Sequence, residues 1–409
     1  MEQGHLIMSK KERQRFLVLD RVQQGQLSLK EAAKQLEISY RQARRSRTRF
    51  LEHGEAGLVH KSRGRPSNRT KSAQFKQKVL EVYKELYTGF GPTLAAEKLL
   101  EDHELVLDHE TLRRWLLQAL LWEKKRKRRK HRSWRKPKAH FGQMVQMDGS
   151  HHKWFGDNKE KACLIVMVDD ATKTKFAFMD KEETIVGCMQ SLWKWIKLYG
   201  IPKTIYADRK NVYVTDREPT LDEQLAGKKP MTAFGIACEK LGIKIISANS
   251  PQAKGRVERT NSIYQDRFVK ELKLKGITDI NNANDLLLGG FNDSLNRKFI
   301  AKPADKQDFH RPVSKGLDLK NVFCLEQTRT LQNDWTISYK NRSFQVLKTN
   351  RPVPRPRQKI VVREHLDRSI TLWGNDKRLK YKEINKVKSV STRRPARLLN
   401  RPASPRASL

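Results

Sequence analysis

Apolar residues recur at helical spacing along the N-terminal part of the chain. Residues 10–53 predict three short helices, with Ser28 and Ser39 as the N-caps of the second and third. Residues 73–121 predict a further helical unit, in which Thr93 can cap the second helix. Small alanines and a tight turn before a basic helix are typical of a helix-turn-helix, so we expect two such units.

The pattern changes after Phe141, where short apolar runs alternate with helical segments. The predicted elements are strands at residues 143–147, 162–168, 175–179, 203–207 and 244–247, helices at 183–198 and 232–241, and a long helix ending near Leu274. Three strands followed by alternating helices and strands describe a mixed α/β sheet of ribonuclease H type. Residues 322–374 form short alternating runs, which predict a small β-barrel of SH3-like size.

Changes in composition divide this multidomain α+β chain into segments. A run of Lys and Arg over residues 124–132 cannot pack, so it predicts a solvated connector. The expected segments are a helix-turn-helix domain (1–54), a basic AT-hook-like linker (55–72), a second helix-turn-helix-like domain (73–122), a basic connector (123–140), the ribonuclease H-like core (141–276), a helical extension (277–320), the small β-barrel (321–388) and a disordered basic tail (389–409).

The chain carries a large excess of positive charge. It has 85 Lys+Arg against 45 Asp+Glu in 409 residues, a formal net charge of +40. Such an excess implies a polyanionic partner, and double-stranded DNA is the first candidate. The alternative is a ribosomal-type or membrane-surface protein, but 37% hydrophobic residues favour folded domains. No apolar run approaches the ~18 residues of a membrane span, and the four cysteines are scattered, so a cytoplasmic location is expected.

The basic third helix offers candidate DNA contacts. In a helix-turn-helix the N-terminal half of this helix enters the major groove. The residues placed there are Arg41, Gln42, Arg44 and Arg45. The alternative is a three-helix bundle whose basic face is only solvated.

The linker that follows contains an Arg-Gly-Arg-Pro core. This core is similar to an AT-hook, whose arginines lie in the narrow minor groove of A·T-rich DNA. Arg63 and Arg65 are therefore candidate DNA contacts. Any basic linker can contain such a core by chance, so a plain linker is an equal alternative.

Three carboxylates are placed to converge at one edge of the predicted sheet. Asp148 ends the first strand, Asp208 ends the fourth, and Glu258 enters from the long helix, beside its apolar stripe and facing the protein body. Such carboxylates would repel one another unless a cation neutralised them. Two Mg²⁺ ions about 4 Å apart could activate the attacking oxygen and stabilise the leaving oxygen in a phosphoryl transfer. The nearby Asp169 and Asp170 are expected to serve a turn instead.

A motif around the glutamate resembles a known family. The stretch Pro251-Gln252-x-x-Gly255-x-x-Glu258-x-x-Asn261 is similar to the corresponding motif of retroviral integrases, and Ala248 to Arg259 is closer still to ISNCY-type insertion-sequence transposases. Residues 141–275 thus resemble the DDE catalytic core of the retroviral-integrase superfamily. The helix-turn-helix units in front and the small barrel behind suit the same family.

The resemblance implies a DNA transposase that binds terminal inverted repeats, hydrolyses a phosphodiester at the transposon end and transfers the freed strand to target DNA. Asp148, Asp208 and Glu258 would be its catalytic residues and would hold two Mg²⁺ (or Mn²⁺) ions. Lys254 and Arg256 would contact phosphates near them. It also implies a homo-oligomer on DNA in the nucleoid-associated cytoplasm of a bacterium, with no membrane partner.

Two features depart from the family. The separation of Asp208 from Glu258 is longer than the commonest arrangement, and the polar residues 209–230 look like an inserted loop. No cysteine precedes Cys163, so the zinc domain of retroviral integrases is not predicted.

Two other functions compete with the transposase. One is a catalytically silent DNA-binding regulator derived from a transposase, which the intact set of three carboxylates disfavours. The other is a plain nuclease of ribonuclease H type, which would not need the flanking DNA-reading domains.

Overall fold

The computed structural model describes residues 6–63, 70–123, 135–157, 159–225, 227, 229–248 and 254–384. The chain divides into two compact units, Met1–Glu123 and Lys124–Leu409. No helix in the described ranges is long and apolar enough to cross a membrane.

In the described residues of the first unit, six α-helices are present. They are α1 (Lys10–Gln23), α2 (Leu29–Gln35), α3 (Tyr40–His53), α4 (Ala73–Leu86), α5 (Pro92–His103) and α6 (His109–Gln118), with a 3₁₀ turn at Gly54–Leu58. Leu19, Phe50 and Leu58 form the core of the first three helices. The last three enclose a larger cluster around Tyr83, Leu99 and Leu112.

Serine caps set the boundaries of the first helices as the sequence predicts. Ser28 and Glu31 form a capping box at the start of α2, and the Ser39 side chain accepts from the backbone N–H of Gln42 in α3. The prediction for Thr93 is wrong. Helix α5 begins at Pro92 after Gly91, so Thr93 lies inside the helix and is not its N-cap. Proline favours this earlier start because its fixed φ suits the first helical position.

A five-stranded mixed sheet forms the centre of the second unit. Its strands are β1 (Val145–His152), β2 (Ala162–Asp169), β3 (Lys175–Asp180), β4 (Thr204–Ala207) and β5 (Lys244–Ser247), in the order β3-β2-β1-β4-β5. The first three strands are antiparallel, and β4 runs parallel to both β1 and β5. This is the strand order of the ribonuclease H type predicted from the sequence.

Both faces of the sheet are covered. Helices α7 (Ile185–Tyr199), α8 (Leu221–Leu225), α9 (Ala233–Lys240), α10 (Gly255–Leu274), α11 (Ile280–Leu286) and α12 (Asn292–Phe299) follow in the chain, with a π-helical turn between the last two. Side chains of β2 alternate between two clusters. Ile165 and Met167 pack with α7 and α9, whereas Leu164 and Val166 pack with α10. All eight residues of β2 are buried for this reason.

Three asparagines cover the free edge of the sheet. Asn284, Asn292 and Asn296, from α11 and α12, each accept from one backbone N–H of β3 and donate to the carbonyl of the same residue. Their partners are Met179, Ala177 and Lys175. An edge strand with unpaired backbone groups would otherwise offer a site for another strand to pair.

The described residues of the C-terminal part of this unit, up to Ile384, contain a short helix and seven strands. These are α13 (Leu319–Val322), β6 (Cys324–Thr330), β7 (Thr336–Tyr339), β8 (Arg342–Val346), β9 (Lys359–His365), β10 (Ile370–Gly374), β11 (Lys377–Leu379) and β12 (Tyr381–Ile384). The strands share one apolar core around Ile337, Phe344 and Val362. They form two separate sheets, β11-β10-β9-β6 and β12-β8-β7. The predicted closed barrel is therefore not confirmed in the described residues.

Candidate active site

Two aspartates lie side by side on neighbouring parallel strands. Val145 of β1 pairs with Ile205 of β4, and Gln146 pairs with Tyr206. Two residues further along the chain in each case are Asp148, within β1, and Asp208, directly after the last residue of β4. Their side chains are 15% and 23% exposed. Strand register thus brings together two residues that are far apart in sequence.

The position of Asp148 within its strand differs from the prediction. β1 continues to His152, so Asp148 lies in the middle of the strand and not at its end. The strand extends past its apolar run because the backbone of β1 pairs with β2 over eight residues, with Asp148 opposite Val166. Pairing satisfies the backbone of this polar stretch, a tertiary effect that local hydrophobicity does not reveal.

The ammonium group of Lys254 bridges the two aspartates. Its Nζ lies 2.7 Å from Oδ1 of Asp148 and 3.4 Å from Oδ2 of Asp208. The other oxygen of Asp148 accepts from Nδ2 of Asn261 at 3.1 Å. Two carboxylates therefore converge on one cation, and Lys254 is itself buried.

Glu258 lies on the same helix as these contacts but is exposed. The prediction that it faces the protein body is wrong. The buried positions of α10 are Val257, Thr260, Asn261 and Tyr264, which leaves Glu258 at the border of that stripe, in the first helical turn. Asn261, three residues after it on the same helix, contacts Asp148, so Glu258 lies one helical turn from that contact.

A fourth carboxylate, which the sequence did not reveal, lies next to the pair. Glu183 pairs with Lys210, whose Nζ is also 3.5 Å from Oδ2 of Asp208. Oε1 of Glu183 accepts from the Tyr213 hydroxyl at 2.7 Å. A Cβ atom at Gly149 would lie 2.5 Å from the Glu183 side chain, so the glycine leaves room for this carboxylate beside β1.

Lys210 stays charged in this setting. Burial lowers its pKa, but the hydrogen bond and charge of Glu183, together with the charge of Asp208, raise the pKa to about 12. Lys210 could have been identified from the sequence, because it lies two residues after Asp208. Glu183 could not, because only the folded chain brings it to β1.

Arg256 is held by a buried aspartate. Its Nη1 lies 2.9 Å from Oδ1 of Asp170, which is fully buried. The same oxygen accepts from Arg135 at 2.6 Å and Gln146 at 2.8 Å. Asp169 instead accepts from the backbone N–H groups of Ala171 and Thr172 in the following turn. The expected turn role is thus seen for Asp169, whereas Asp170 joins the connector to α10.

The donor chemistry of the pair suits a hard cation. Carboxylate oxygens are the ligands that Mg²⁺ and Mn²⁺ prefer, and the Lys254 ammonium shows that Asp148 and Asp208 are arranged around positive charge. Within the described ranges, no three His, Cys, Asp or Glu side chains are grouped closely enough to hold a metal ion. Glu258 would have to turn toward the pair to complete such a group.

The candidate DNA-contacting residues of the first unit are accessible on α3. Arg41, Gln42, Arg44 and Arg45 are all exposed. The three arginines lie on the side of the helix away from the buried Ala43, Ser46 and Phe50, and Gln42 lies at the border of that buried side. The helix packs its apolar side on α2 and the 3₁₀ turn.

The two linker arginines differ. Arg63 pairs with the buried carboxylate of Glu12. Hydrogen bonds from the backbone N–H groups of Ser9 and His60 lower the pKa of Glu12 to about 2, which keeps this partner ionised. Arg65 lies outside the described residues.

Domain models match the N-terminal helices. A helix-turn-helix domain matches residues 14–67, and a homeodomain-like domain matches residues 42–116. The two matches together run from α1 to α6 and support the helix-turn-helix class predicted for this part of the chain.

Two bacterial proteins are similar to most of the chain. The protein named "Putative transposase y4bF" of Sinorhizobium fredii (strain NBRC 101917 / NGR234) is 37% identical over 341 residues, which cover 83% of this chain and 73% of that protein. The "Transposase for insertion sequence IS1202" of Streptococcus pneumoniae is 27% identical over 377 residues, covering 81% of this chain and 77% of that protein.

Solved integrase structures match at low similarity. The catalytic core domain of HTLV-2 integrase in complex with magnesium (trimeric form) is 24% identical, with a TM-score of 0.28, and covers 37% of this chain and 85% of that chain. A chain of the simian T-cell lymphotropic virus intasome in complex with PP2A regulatory subunit B56 gamma is 16% identical, with a TM-score of 0.32. The match covers 74% of this chain and 98% of that chain. At such TM-scores neither likeness carries an argument, and the fold assignment depends on the strand order.

Proposed function

The chain belongs to the bacterial insertion-sequence transposases, and from this we propose that it cleaves transposon ends and joins them to target DNA at the Asp148–Asp208 pair. The observation that carries the proposal is the convergence of these two carboxylates on one positive charge, at 2.7 and 3.4 Å from Lys254. Transposition requires phosphodiester chemistry, and paired carboxylates that bind cations are the groups that support it.

Asp148, Asp208 and Glu258 are the residues that would hold two Mg²⁺ or Mn²⁺ ions. When bound, such ions activate the attacking oxygen and stabilise the leaving one. Two features of the chain favour this use of the aspartates. Asn261 fixes one oxygen of Asp148 and leaves the other directed at the cation position. Glu258 is exposed one turn from Lys254 and has the freedom to join the pair.

Lys210 and Lys254 supply positive charge beside the pair. Glu183 anchors Lys210, so its charge remains near Asp208 while DNA binds. A backbone phosphate that enters this region would meet both ammonium groups, which favours its binding next to the carboxylates.

The first unit would select the DNA. The exposed Arg41, Gln42, Arg44 and Arg45 of α3 are suited to a major groove, where Arg and Gln read base edges. We assign the terminal inverted repeats to the helices of residues 10–53 and 73–121, and the target DNA to the remaining positive surface. Two transposon ends must be joined in one reaction, so a homo-oligomer on DNA is expected.

The test uses the full chain, Mg²⁺ and labelled duplexes that carry the element's own ends. We expect nicks with 3′-OH ends and joined products that disappear with EDTA. Asp148→Asn, Asp208→Asn and Glu258→Gln should each lower the rate by roughly a hundredfold or more while binding to the ends is retained, because they remove charge from the reacting centre only.

The matched control is Asp266→Asn, an exposed carboxylate two turns along α10 from Glu258, which should leave the rate unchanged. Strand transfer retained by Glu258→Gln would contradict the role of this glutamate. Tight binding of the ends without any product, under all metal conditions, would instead favour the silent regulator.

A further inference from the structure

Five charged side chains form a row of alternating sign along the candidate active site. The order is Glu183, Lys210, Asp208, Lys254 and Asp148, and each neighbouring pair is within ion-pair distance. The two lysines are nearly equivalent toward the central member, because their Nζ atoms lie 3.5 and 3.4 Å from the same Oδ2 of Asp208. They therefore bring similar charge to the same carboxylate.

The two lysines differ in what else holds them. Lys210 is anchored by Glu183, whose side chain is 5% exposed and also accepts from the Tyr213 hydroxyl. In the described part of the chain, the ammonium of Lys254 has only the two aspartates as partners. Any ion that takes both carboxylates would remove every partner of Lys254, whereas Lys210 would retain Glu183.

We propose that Lys254 is the resident cation of the metal-free site and that divalent ions displace its ammonium from Asp148 and Asp208. This inference rests on the proposed function, which assigns the metal to these two aspartates. Lys210 stays in place on Glu183. The displaced Lys254 ammonium becomes available to a DNA phosphate, so one side chain neutralises the two aspartates before the ions bind and then assists substrate binding.

Displacement has a measurable consequence for metal affinity. The wild-type site must lose its ammonium before the ion can occupy the same position, which reduces the apparent affinity by the fraction of sites that are open. Removal of Lys254 removes this competition. Removal of Lys210 changes the local charge by the same amount but leaves the Lys254 ammonium between the two aspartates. Comparison of the two variants therefore distinguishes displacement of Lys254 from a simple change of local charge.

The experiment measures Mn²⁺ binding to the full chain by the electron paramagnetic resonance signal of free Mn²⁺. The proteins are the wild type, Lys254→Met, Lys254→Arg, Lys210→Met and Lys240→Met, and Asp148→Asn/Asp208→Asn serves to subtract other sites. Lys240 pairs with Glu326 at 2.9 Å in the same unit and controls for the loss of one exposed lysine.

We expect Lys254→Met to bind Mn²⁺ about tenfold more tightly or better, the scale of one charge-assisted hydrogen bond. Lys210→Met should gain clearly less, and Lys254→Arg and Lys240→Met should resemble the wild type. In EDTA, Lys254→Met should unfold at a lower temperature than the wild type, because its aspartates lack a counter-charge, and Mg²⁺ should restore it.

Equal tightening in Lys254→Met and Lys210→Met would overturn the proposal and leave only a charge effect. Weaker binding by Lys254→Met would also overturn it, since the lysine would then support the ion. If the wild type and the double aspartate variant bind Mn²⁺ equally, the metal site of the proposed function fails, and that result is distinct from the first two.

Discussion

Lys175 gives a stability prediction of unusual sign, because its removal should stabilise the protein. The side chain is 1% exposed on strand β3, and its Nζ has no hydrogen-bond partner among the described residues. Among the described residues, the one favourable contact of this ammonium is a cation–π contact with the ring of Phe299, whose centroid is 5.3 Å from Nζ. An unpaired buried ammonium is costly, so we expect Lys175→Met to raise the free energy of unfolding at neutral pH.

The size of the effect follows from the pKa. Burial lowers the pKa of Lys175 from its ordinary value of 10.5 to about 8. At 1.36 kcal/mol per pH unit, this difference sets an upper limit of about 3 kcal/mol on the cost of the charge. The cation–π contact that the variant loses is worth about 1 kcal/mol. A net stabilisation of about 2 kcal/mol is therefore expected.

The pH dependence has a definite direction. Below pH 8 both the folded and the unfolded chain hold the proton, and the folded state bears the full cost. Between pH 8 and 10.5 the folded chain releases the proton while the unfolded chain keeps it, so the contribution of Lys175 to stability rises with pH. The advantage of Lys175→Met should be complete at pH 7 and disappear near pH 10.

Urea unfolding of the wild type and the variant at pH 7, 8.5 and 10 measures this difference directly. Lys161→Met, an exposed lysine of the same unit, is the control and should change stability by less than about 0.5 kcal/mol. A Lys175→Met variant that is no more stable than the wild type at pH 7, or whose advantage does not shrink as the pH rises, would show that the buried charge of Lys175 does not destabilise the fold.

Two further substitutions test the contacts around the candidate active site. Asp170→Asn should cost about 3–5 kcal/mol in urea unfolding, because it leaves Arg135 and Arg256 without their buried partner; a loss below 1 kcal/mol would mean that this network is not a structural one. Asn292→Leu should cost about 3 kcal/mol, because it removes bonds to both backbone groups of Ala177 and to the Tyr264 hydroxyl, whereas the exposed Asn281→Ala should be neutral.

Local patterns predicted the elements better than the contacts between them. The serine caps of α2 and α3 and the short strands of the sheet are determined by residues within a few positions of each other, so they were visible in the sequence. The pairing of Asp148 with Asp208 followed from the placement of polar residues after apolar runs. Glu183 was not predictable, since it lies just before α7 and only the folded chain brings its side chain beside Gly149 of β1.

The orientation of Glu258 shows where helical periodicity fails. Its angular position lies at the border of the apolar stripe, where burial depends on whether another element covers the first turn of the helix. Helical periodicity describes the helix alone, so it cannot predict whether another element covers its first turn. The same limit applies to Arg256, whose charge suggested DNA but whose partner is a buried aspartate 86 residues away in sequence.

The first turn of α10 has two kinds of contact: those of Arg256 and Val257 hold the helix in place, and that of Lys254 with the two aspartates can be replaced by a metal ion. Arg256 is paired with the buried Asp170, and the backbone N–H of Val257 donates to the buried Gln146 at 3.2 Å. Neither contact involves Asp148 or Asp208, so both persist when Lys254 leaves the aspartates. The helix can therefore keep its position while the cation between the carboxylates changes. This separation is what allows a site to exchange its counter-ion without losing the geometry that the reaction needs.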